Sequence, residues 1–443
     1  MLKSERITEE ILSYIRSELN TFISGLIDDG AAEETIDLEA TEIHLRDFSQ
    51  NICRLLIQKV CDSCFSGYQG VAIECECGGW QRFVNKRSRK VRTLFGNVEV
   101  PHWYYGCSDC GRTSSFQSPR LGDGNESCSF ALRRVMSILG SETTYRAASE
   151  LLRELTGQDV SVSQFERVAG AVGAHFEASE EHEVSRSLKG CRDTSIESPD
   201  DIYVCVDGAM VREDEEWREC KVATVFDAIV NEEGEPEQGK ASYQAGVWAS
   251  DELGRRMYHE ARRRGLERAG RLVVLGDGAR WIWRQSDLHF GDPIEIIDWY
   301  HACEHLWEVS REFYGDETER CRRWVDSQKG FLMTDRVEVV IHNIEKLTPR
   351  TKRQTDIRRT NLGYFGDNRE RMRYGTFRKQ GMFIGSGAVE SACKHVVQQR
   401  FKGAGMRWKK EGLKHLMAIR LARKSNRFEQ AWKQYKKQTK KAA

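Results

Sequence analysis

Apolar positions recur at helical spacing from residue 1 to about residue 65, at Ile11, Ile15 and Leu19 and again at Ile52, Leu55, Leu56 and Val60, and predict a helical N-terminal region. From Glu74 to Arg112 the chain turns polar, basic and β-prone around Gly96-Asn97, which predicts a hairpin. Helical periodicity returns over residues 127–176. Within it, Thr144 to Leu155 is amphipathic, with Tyr145, Ala148, Leu151, Leu152 and Leu155 inward and Gly157 as its stop. Ser163, with Glu166 three residues on, reads as the capping box of the next helix. Two short helices joined through a glycine fit a helix-turn-helix, although a helical hairpin that merely packs has the same pattern. Residues 177–200 are acidic and aperiodic and predict a linker.

Beyond that linker the pattern alternates. Strands are expected at 202–206, 220–226 and 242–248, a helix from Asp251 to Ala269, a strand at 272–276, a helix from Ala279 to Leu288 and a strand at 294–297. Three strands, a helix, a strand, a helix and a strand is the order of a ribonuclease-H-like mixed α/β sheet. Residues 308–380 are helix-rich and too long for a loop in a compact fold, so they read as a helical insertion. A Gly-Ser-Gly turn at Gly385 to Gly387 then feeds a helix with Glu390 in its first turn, where the helix dipole favours an acid.

Basic and acidic residues both number 68, so net charge says nothing about partners, but their distribution does. From Lys394 to the end there are sixteen basic residues against two acidic, an asymmetry that suits a polyanion; a solvated tail is the plainer alternative. No apolar run is long enough to span a membrane and no signal-peptide pattern opens the chain, so a cytoplasmic protein is expected. Fourteen cysteines in such a chain point to metal binding and buried thiols. Cys75-Glu76-Cys77 and Cys107-Ser108-Asp109-Cys110, each followed by glycine and separated by the hairpin, have the layout of a zinc ribbon. The first pair has one intervening residue where two are usual, which leaves Cys61, Cys64 or His102 as substitute ligands and reduced core cysteines as the alternative to a metal. The hairpin's Arg82, Lys86, Arg87, Arg89, Lys90 and Arg92 could lie against DNA.

Two short apolar runs end in Asp-Gly: Ile202 to Val206 before Asp207, and Leu272 to Gly276 before Asp277. Each reads as a buried strand with an acid at its carboxyl edge, where open α/β sheets place ligands, although an Asp-Gly turn is the commoner meaning. Together with Glu390 they make three acids from distant segments that could converge beside a basic helix. Asp298, His301 and His305 share one helical face, as ligands or as ordinary helix-start residues. The expected organisation is a multi-domain α+β chain. It has an N-terminal helical region at 1–65, a zinc-ribbon-like domain at 66–125, a helix-turn-helix-like region at 126–176 and an acidic linker at 177–200. The ribonuclease-H-like core begins at 201–307, is interrupted by the helical insertion at 308–380, and finishes with the basic tail at 381–443.

The block from Gly385 to Trp408, with Val206-Asp207-Gly208, Gly276-Asp277-Gly278 and Asp298-Trp-Tyr-His301-Ala-Cys-Glu-His305-Leu306, resembles the ISKra4-type insertion-sequence transposases, related to the Mutator-like group. The resemblance covers most of the chain and implies a DDE transposase with Asp207, Asp277 and Glu390 as its catalytic acids and Asp298 and His301 as accessory residues. Phosphodiester cleavage and strand transfer would use two Mg²⁺ (or Mn²⁺) ions about 3.5–4 Å apart on carboxylate oxygens. Asp207 would bridge both, with Asp277 on one and Glu390 on the other. Lys394, Arg400, Lys402 and Arg407 would hold phosphates, Cys75, Cys77, Cys107 and Cys110 a structural Zn²⁺, and a homodimer would bind transposon-end and target DNA. The alternative is a non-catalytic DNA-binding relative that uses only the ribbon and the helix-turn-helix.

Overall fold

The computed structural model of the chain describes residues 3–32, 37–63, 67–116, 127–190, 199–230, 236–385 and 387–442. The side chain of Ile11, together with Cys64, Ser386 and residues 191–198 of the expected linker, lies outside them. The architecture is mixed α/β with two sheets, and the chain groups into one unit of residues 1–172 with 430–443 and another of residues 173–429.

In the first unit, helices α1 (Lys3–Ala32) and α2 (Leu38–Ser63) meet through the stacked rings of Phe22 and Phe48. An antiparallel sheet of β1 (Ala72–Glu74), β2 (Trp80–Thr93), β3 (Gly96–Cys107) and β4 (Thr113–Phe116) follows. Cys61 of α2 packs on Val91, Val98 and Val100 of that sheet, and Gln58 exchanges two hydrogen bonds with the backbone of Glu99. The hairpin turn is Leu94-Phe95, two residues earlier than Gly96-Asn97, because Thr93 already pairs with Gly96. Gly96 takes the left-handed φ of 117° that brings β3 back.

Helices α3 (Phe130–Glu142), α4 (Tyr145–Thr156) and α5 (Val162–Leu188) come next. Thr144 caps α4 through the Ala147 N–H, and Gly157 ends the helix at φ 65°, the stop that the sequence leads one to expect. The buried stripe is narrower than expected: Ala148 and Leu152 are in the core with Phe165 and Met136, but Leu151 and Leu155 are exposed. The next helix is capped by Ser161, whose hydroxyl accepts from Gln164 N, and not by Ser163. Helix α5 also covers residues 177–188 of the segment expected to be a linker.

In the second unit, β5 (Asp201–Glu213), β6 (Glu216–Val230), β7 (Pro236–Gly246), β8 (Arg271–Gly276) and β9 (Ile294–Ile297) form one sheet in the order β7-β6-β5-β8-β9. The first three are antiparallel, and β5, β8 and β9 are parallel. Residues 201–206 of β5 are buried, as expected of a central strand covered on both faces. Helices α6 (Ser250–Arg263) and α7 (Arg280–Phe290) connect the strands. Helix α8 (Trp299–Tyr314) straddles the expected start of the helical insertion at 308, and α9 (Glu319–Leu332), α10 (Val337–Glu345), α11 (Lys352–Asp367) and α12 (Tyr374–Lys379) fill the rest of that stretch. The chain then forms α13 (Gly387–Ala392), a π-helical turn (Cys393–Gln398), α14 (Gln399–Phe401) and α15 (Lys410–Lys424).

The expected tail is also folded. Helix α16 (Phe428–Ala442) groups from Gln430 onward with the first unit, where Tyr435 accepts a hydrogen bond from Arg133 and packs on Phe130. Among the described residues no helix is long and apolar enough to cross a membrane.

The acidic stretch 177–188 is a helix because arginines far away in sequence neutralise it. Arg256 pairs with Glu181, and Arg263 pairs with Glu180 and Glu183. At the centre of this network Glu260 is fully buried and accepts from Gln244 at 2.8 Å and from both Nη atoms of Arg427, at 2.5 and 3.0 Å. Burial alone would raise the pKa of its carboxyl, but Arg427 and Arg263 hold it far below the ordinary glutamate value. Such a depressed group stabilises the fold above its unfolded-state pKa and loses that contribution as pH falls. Glu260→Gln should therefore cost about 3–5 kcal/mol at neutral pH by leaving buried guanidinium charge unpaired. In denaturant titrations the gap between variant and wild type should close as pH drops below the ordinary glutamate range; a pH-independent gap would contradict this account.

Candidate active site

Parallel pairing sets the first two acids. Asp201 pairs with Arg271 and Cys205 with Leu275, a constant offset that carries Asp207 to the level of Asp277 on the neighbouring strand. Asp277 lies just past the end of β8. Asp207, by contrast, lies inside β5, which continues to Glu213 because it stays paired with β6 as a hairpin. The expectation that Asp207 ends its strand is thus corrected, while its position at the edge left by β8 remains. Asp207 accepts from its neighbour Gly208 N at 2.6 Å, and Asp277 accepts from Ala279 N at 2.8 Å. Gly278 turns at φ 103°, and an added Cβ there would stand 2.7 Å from the Tyr364 ring.

Glu390 arrives from α13. One turn on, the thiol of Cys393 lies 3.4 Å from Asp207 Oδ2, so the helix bearing Glu390 touches the strand bearing Asp207. Burial, then the carboxylates of Asp207 and Glu390, push the Cys393 thiol well up, so it stays protonated and donates. All three acids are half-buried, and none is ion-paired to a described lysine or arginine. Other acids of the unit have such partners: Asp201 has Arg271, Asp227 has Arg264 and Glu260 has Arg427. The ligand oxygens of Asp207, Asp277 and Glu390 do not all lie within 4.8 Å of one another. One shared ion would need that; two ions side by side, themselves about 3.5–4 Å apart, spread their outer ligands further.

Asp298 and His301, expected as accessory residues, lie at the start of α8. Asp298 is fully buried, donates its N–H to Gly276 O at 2.8 Å, and caps α8 by accepting from His301 N at 3.0 Å. His305 does not join them: its Nδ1 meets Asn361 and its ring stacks on Tyr364 at 3.6 Å. Tyr364, which the sequence did not single out, bonds to Asp277 O at 3.2 Å, and burial followed by the Asp277 charge pushes its hydroxyl far up.

Of the four basic residues expected to grip phosphates, Lys394, Lys402 and Arg407 are exposed. Arg407 reaches Glu215 at 3.3 Å on the β5–β6 hairpin, and its neighbour Trp408 is tied there by two backbone hydrogen bonds with Arg212 and Asp214. Arg400 is a correction: it is 1% exposed, with its guanidinium over the Trp408 ring, and presents nothing to solvent. On the β2–β3 hairpin Arg82, Lys86, Arg87 and Lys90 are exposed. Arg92 instead turns inward to Asp159 O and Gln164, and Arg89 meets His102 at 3.1 Å.

The four cysteines come together and could hold a metal such as zinc. Cys75 Sγ lies 3.6 Å from Cys110 Sγ, Cys77 Sγ lies 3.7 Å from Cys107 Sγ, and all four sulfurs fall within 4.8 Å. Each pair sits on a tight turn, with Gly78 N donating to Cys75 O and Gly111 N to Cys107 O. The Cys77 N–H and the Gln81 amide pull Cys75 down to about 6. At Cys77 the Gly79 N–H pulls the same way, but the neighbouring thiols outweigh it and drive the group up to about 12. One thiolate forms readily and the next is opposed by it, a charge conflict that a dication removes. The substitutes are not needed: Cys61 is in the apolar core and His102 faces Arg89. Glu180, Glu183 and His259 form a second close group, but Arg263 already lies against both carboxylates.

Purified protein should carry about one zinc per chain, read by metal analysis. Cys107→Ser should lose it and Cys61→Ser should keep it; zinc retained by Cys107→Ser would contradict the four-thiolate site.

Comparison with curated proteins finds no match. Residues 76–438, which span the β2–β3 hairpin, the five-stranded sheet and the Glu390 helix, match the family described as an uncharacterised protein family, UPF0236, and the chain belongs to that family.

Proposed function

We propose that the chain is a DNA transposase of a bacterial insertion sequence, which binds terminal repeats and cuts and joins phosphodiesters by a DDE mechanism. In this reading the five-stranded sheet is a ribonuclease-H-like core and helices α8 to α12 are an insertion within it. The observation that carries the reading is a set of three half-buried acids with no basic partner: Asp207 and Asp277 level on adjacent strands, and Glu390 on a helix that touches Asp207. Like charges held this way call for positive charge from outside the protein, and hard carboxylate oxygens suit Mg²⁺ or Mn²⁺.

Asp207 would hold two ions, with Asp277 on one and Glu390 on the other. Bound there, such a pair makes the attacking oxygen nucleophilic and neutralises charge on phosphorus and on the leaving oxygen. Lys394, Lys402 and Arg407 hold the phosphates on either side of the cut. In the first step a water oxygen bonds to phosphorus and the bond to the 3′-oxygen breaks, leaving a 3′-hydroxyl on the element and a 5′-phosphate on the flank. In the second step that 3′-oxygen bonds to a target phosphorus, its proton passes to solvent, and the target's own 3′-oxygen leaves and is protonated. Asp298 and His301 act by holding the start of α8 against the end of β8. The zinc-ribbon-like sheet and helices α3 to α5 supply end recognition, and a homodimer brings two ends together.

With Mg²⁺ the purified chain should nick or join DNA carrying its cognate terminal repeats. Asp207→Asn, Asp277→Asn and Glu390→Gln should still bind that DNA but cut it on the order of 10³-fold more slowly, the loss expected when several kcal/mol of metal-borne stabilisation goes. Binding by the wild type with no Mg²⁺-dependent cleavage would leave the alternative, a DNA-binding relative without cutting machinery.

A further inference from the structure

The helix that brings Glu390 to the sheet is irregular where it makes contact. After α13 the chain widens into a π turn over Cys393–Gln398, and Gln399 N donates to Lys394 O, five residues back. In a regular α-helix that N–H would go to His395 O. The freed His395 carbonyl is instead met by Nη2 of Arg420, whose Nε also donates to Val396 O at 2.6 Å. Arg420 belongs to α15 and is 1% exposed. A π turn in mid-helix is rare and shifts the phase of everything beyond it, and it persists only where something else satisfies the displaced backbone groups. Here that partner is a buried guanidinium from the next helix. The same turn begins at Cys393, whose thiol reaches the Asp207 carboxylate.

We propose that Cys393 is a positioning residue for the acidic site, orienting the Asp207 carboxylate against Glu390, and that Arg420 sets Cys393 in place by holding the π turn open. The inference rests on the reading of Asp207, Asp277 and Glu390 as a divalent-cation site. Neither residue touches the ions. Asp207 has one oxygen committed to the Gly208 N–H. The Cys393 S–H fixes the direction of the other, so the carboxylate meets a cation in one orientation and loses less rotational freedom on binding. Without Arg420, the carbonyls of His395 and Val396 lose the guanidinium that donates to them. The helix then relaxes towards α geometry, which turns Glu390 and Cys393 relative to α14 by about 100°, the angle of one residue.

The experiment is Mn²⁺ binding to the full chain with its cysteine site first loaded with zinc, and with Asp207→Asn as the blank. A thermal melt is recorded for each variant. Cys393→Ala and Cys393→Val both remove the donor, the second while filling the space, and each should weaken Mn²⁺ binding about 10-fold, as expected for loss of a group that orients a ligand. Cys393→Ser keeps a donor and should bind near the wild-type level. Arg420→Met should weaken binding to a similar extent, and Arg420→Lys, which can still donate, should recover part of it. A role in packing alone would lower the melting temperature and leave Mn²⁺ affinity unchanged. Wild-type affinity in a folded Cys393→Ala or Cys393→Val variant overturns the inference and leaves the cation site standing. Identical Mn²⁺ binding by wild type and Asp207→Asn overturns both.

Discussion

The parallel register between β5 and β8 is the constraint on which the rest depends. It fixes Asp207 and Asp277 at one level on adjacent strands, at a place where β8 has ended and β5 has not. Two carboxylates so placed repel each other unless something positive stands between them. The unit has plenty of arginine to offer, yet it directs arginines to Asp201, Asp227 and Glu260 and leaves these two acids and Glu390 without one. Among the described residues these acids have no guanidinium partner, and the proposed reading gives that place to a divalent cation.

The third acid depends on a different kind of support. Glu390 comes from the far side of five helices, and nothing in the sheet register fixes its phase. That task falls to the α13–α15 segment, where a π turn, a thiol contact to Asp207 and a buried arginine act together. The loop after α14 is fastened in turn to the β5–β6 hairpin by the backbone of Trp408, so both ends of the segment are tied to the strand that carries Asp207. Exposed Lys402 and Arg407 ride on that loop, which places positive charge on the same segment as the acid.

Much of this was legible in the sequence. The runs Ile202 to Val206 and Leu272 to Gly276 announce buried strands, and their shared Asp-Gly ending marks the two acids. The paired cysteines announce their own cluster despite the one-residue spacing, since a tight turn needs only Gly78 to bring Cys75 and Cys77 round. What failed to show were features that depend on partners remote in the chain. Residues 177–188 read as a linker because they are acidic and lack sustained periodicity, and the arginines that pair with them lie some seventy to eighty positions away on α6. Strand β5 was read short because the hairpin beyond Asp207 is held by pairing with β6, and its acidic tip carries no apolar alternation. Arg400 looked like a phosphate contact and is instead a core residue under Trp408, a fate that charge patterning cannot distinguish.

The most direct measurement is a crystal structure of the full chain grown with Mn²⁺, read by anomalous scattering at the metal's absorption edge. The account predicts two ions about 3.5–4 Å apart, with Asp207 on both and Asp277 and Glu390 on opposite sides. Anomalous density confined to the cysteine cluster, with none between β5, β8 and α13 at saturating Mn²⁺, would contradict it.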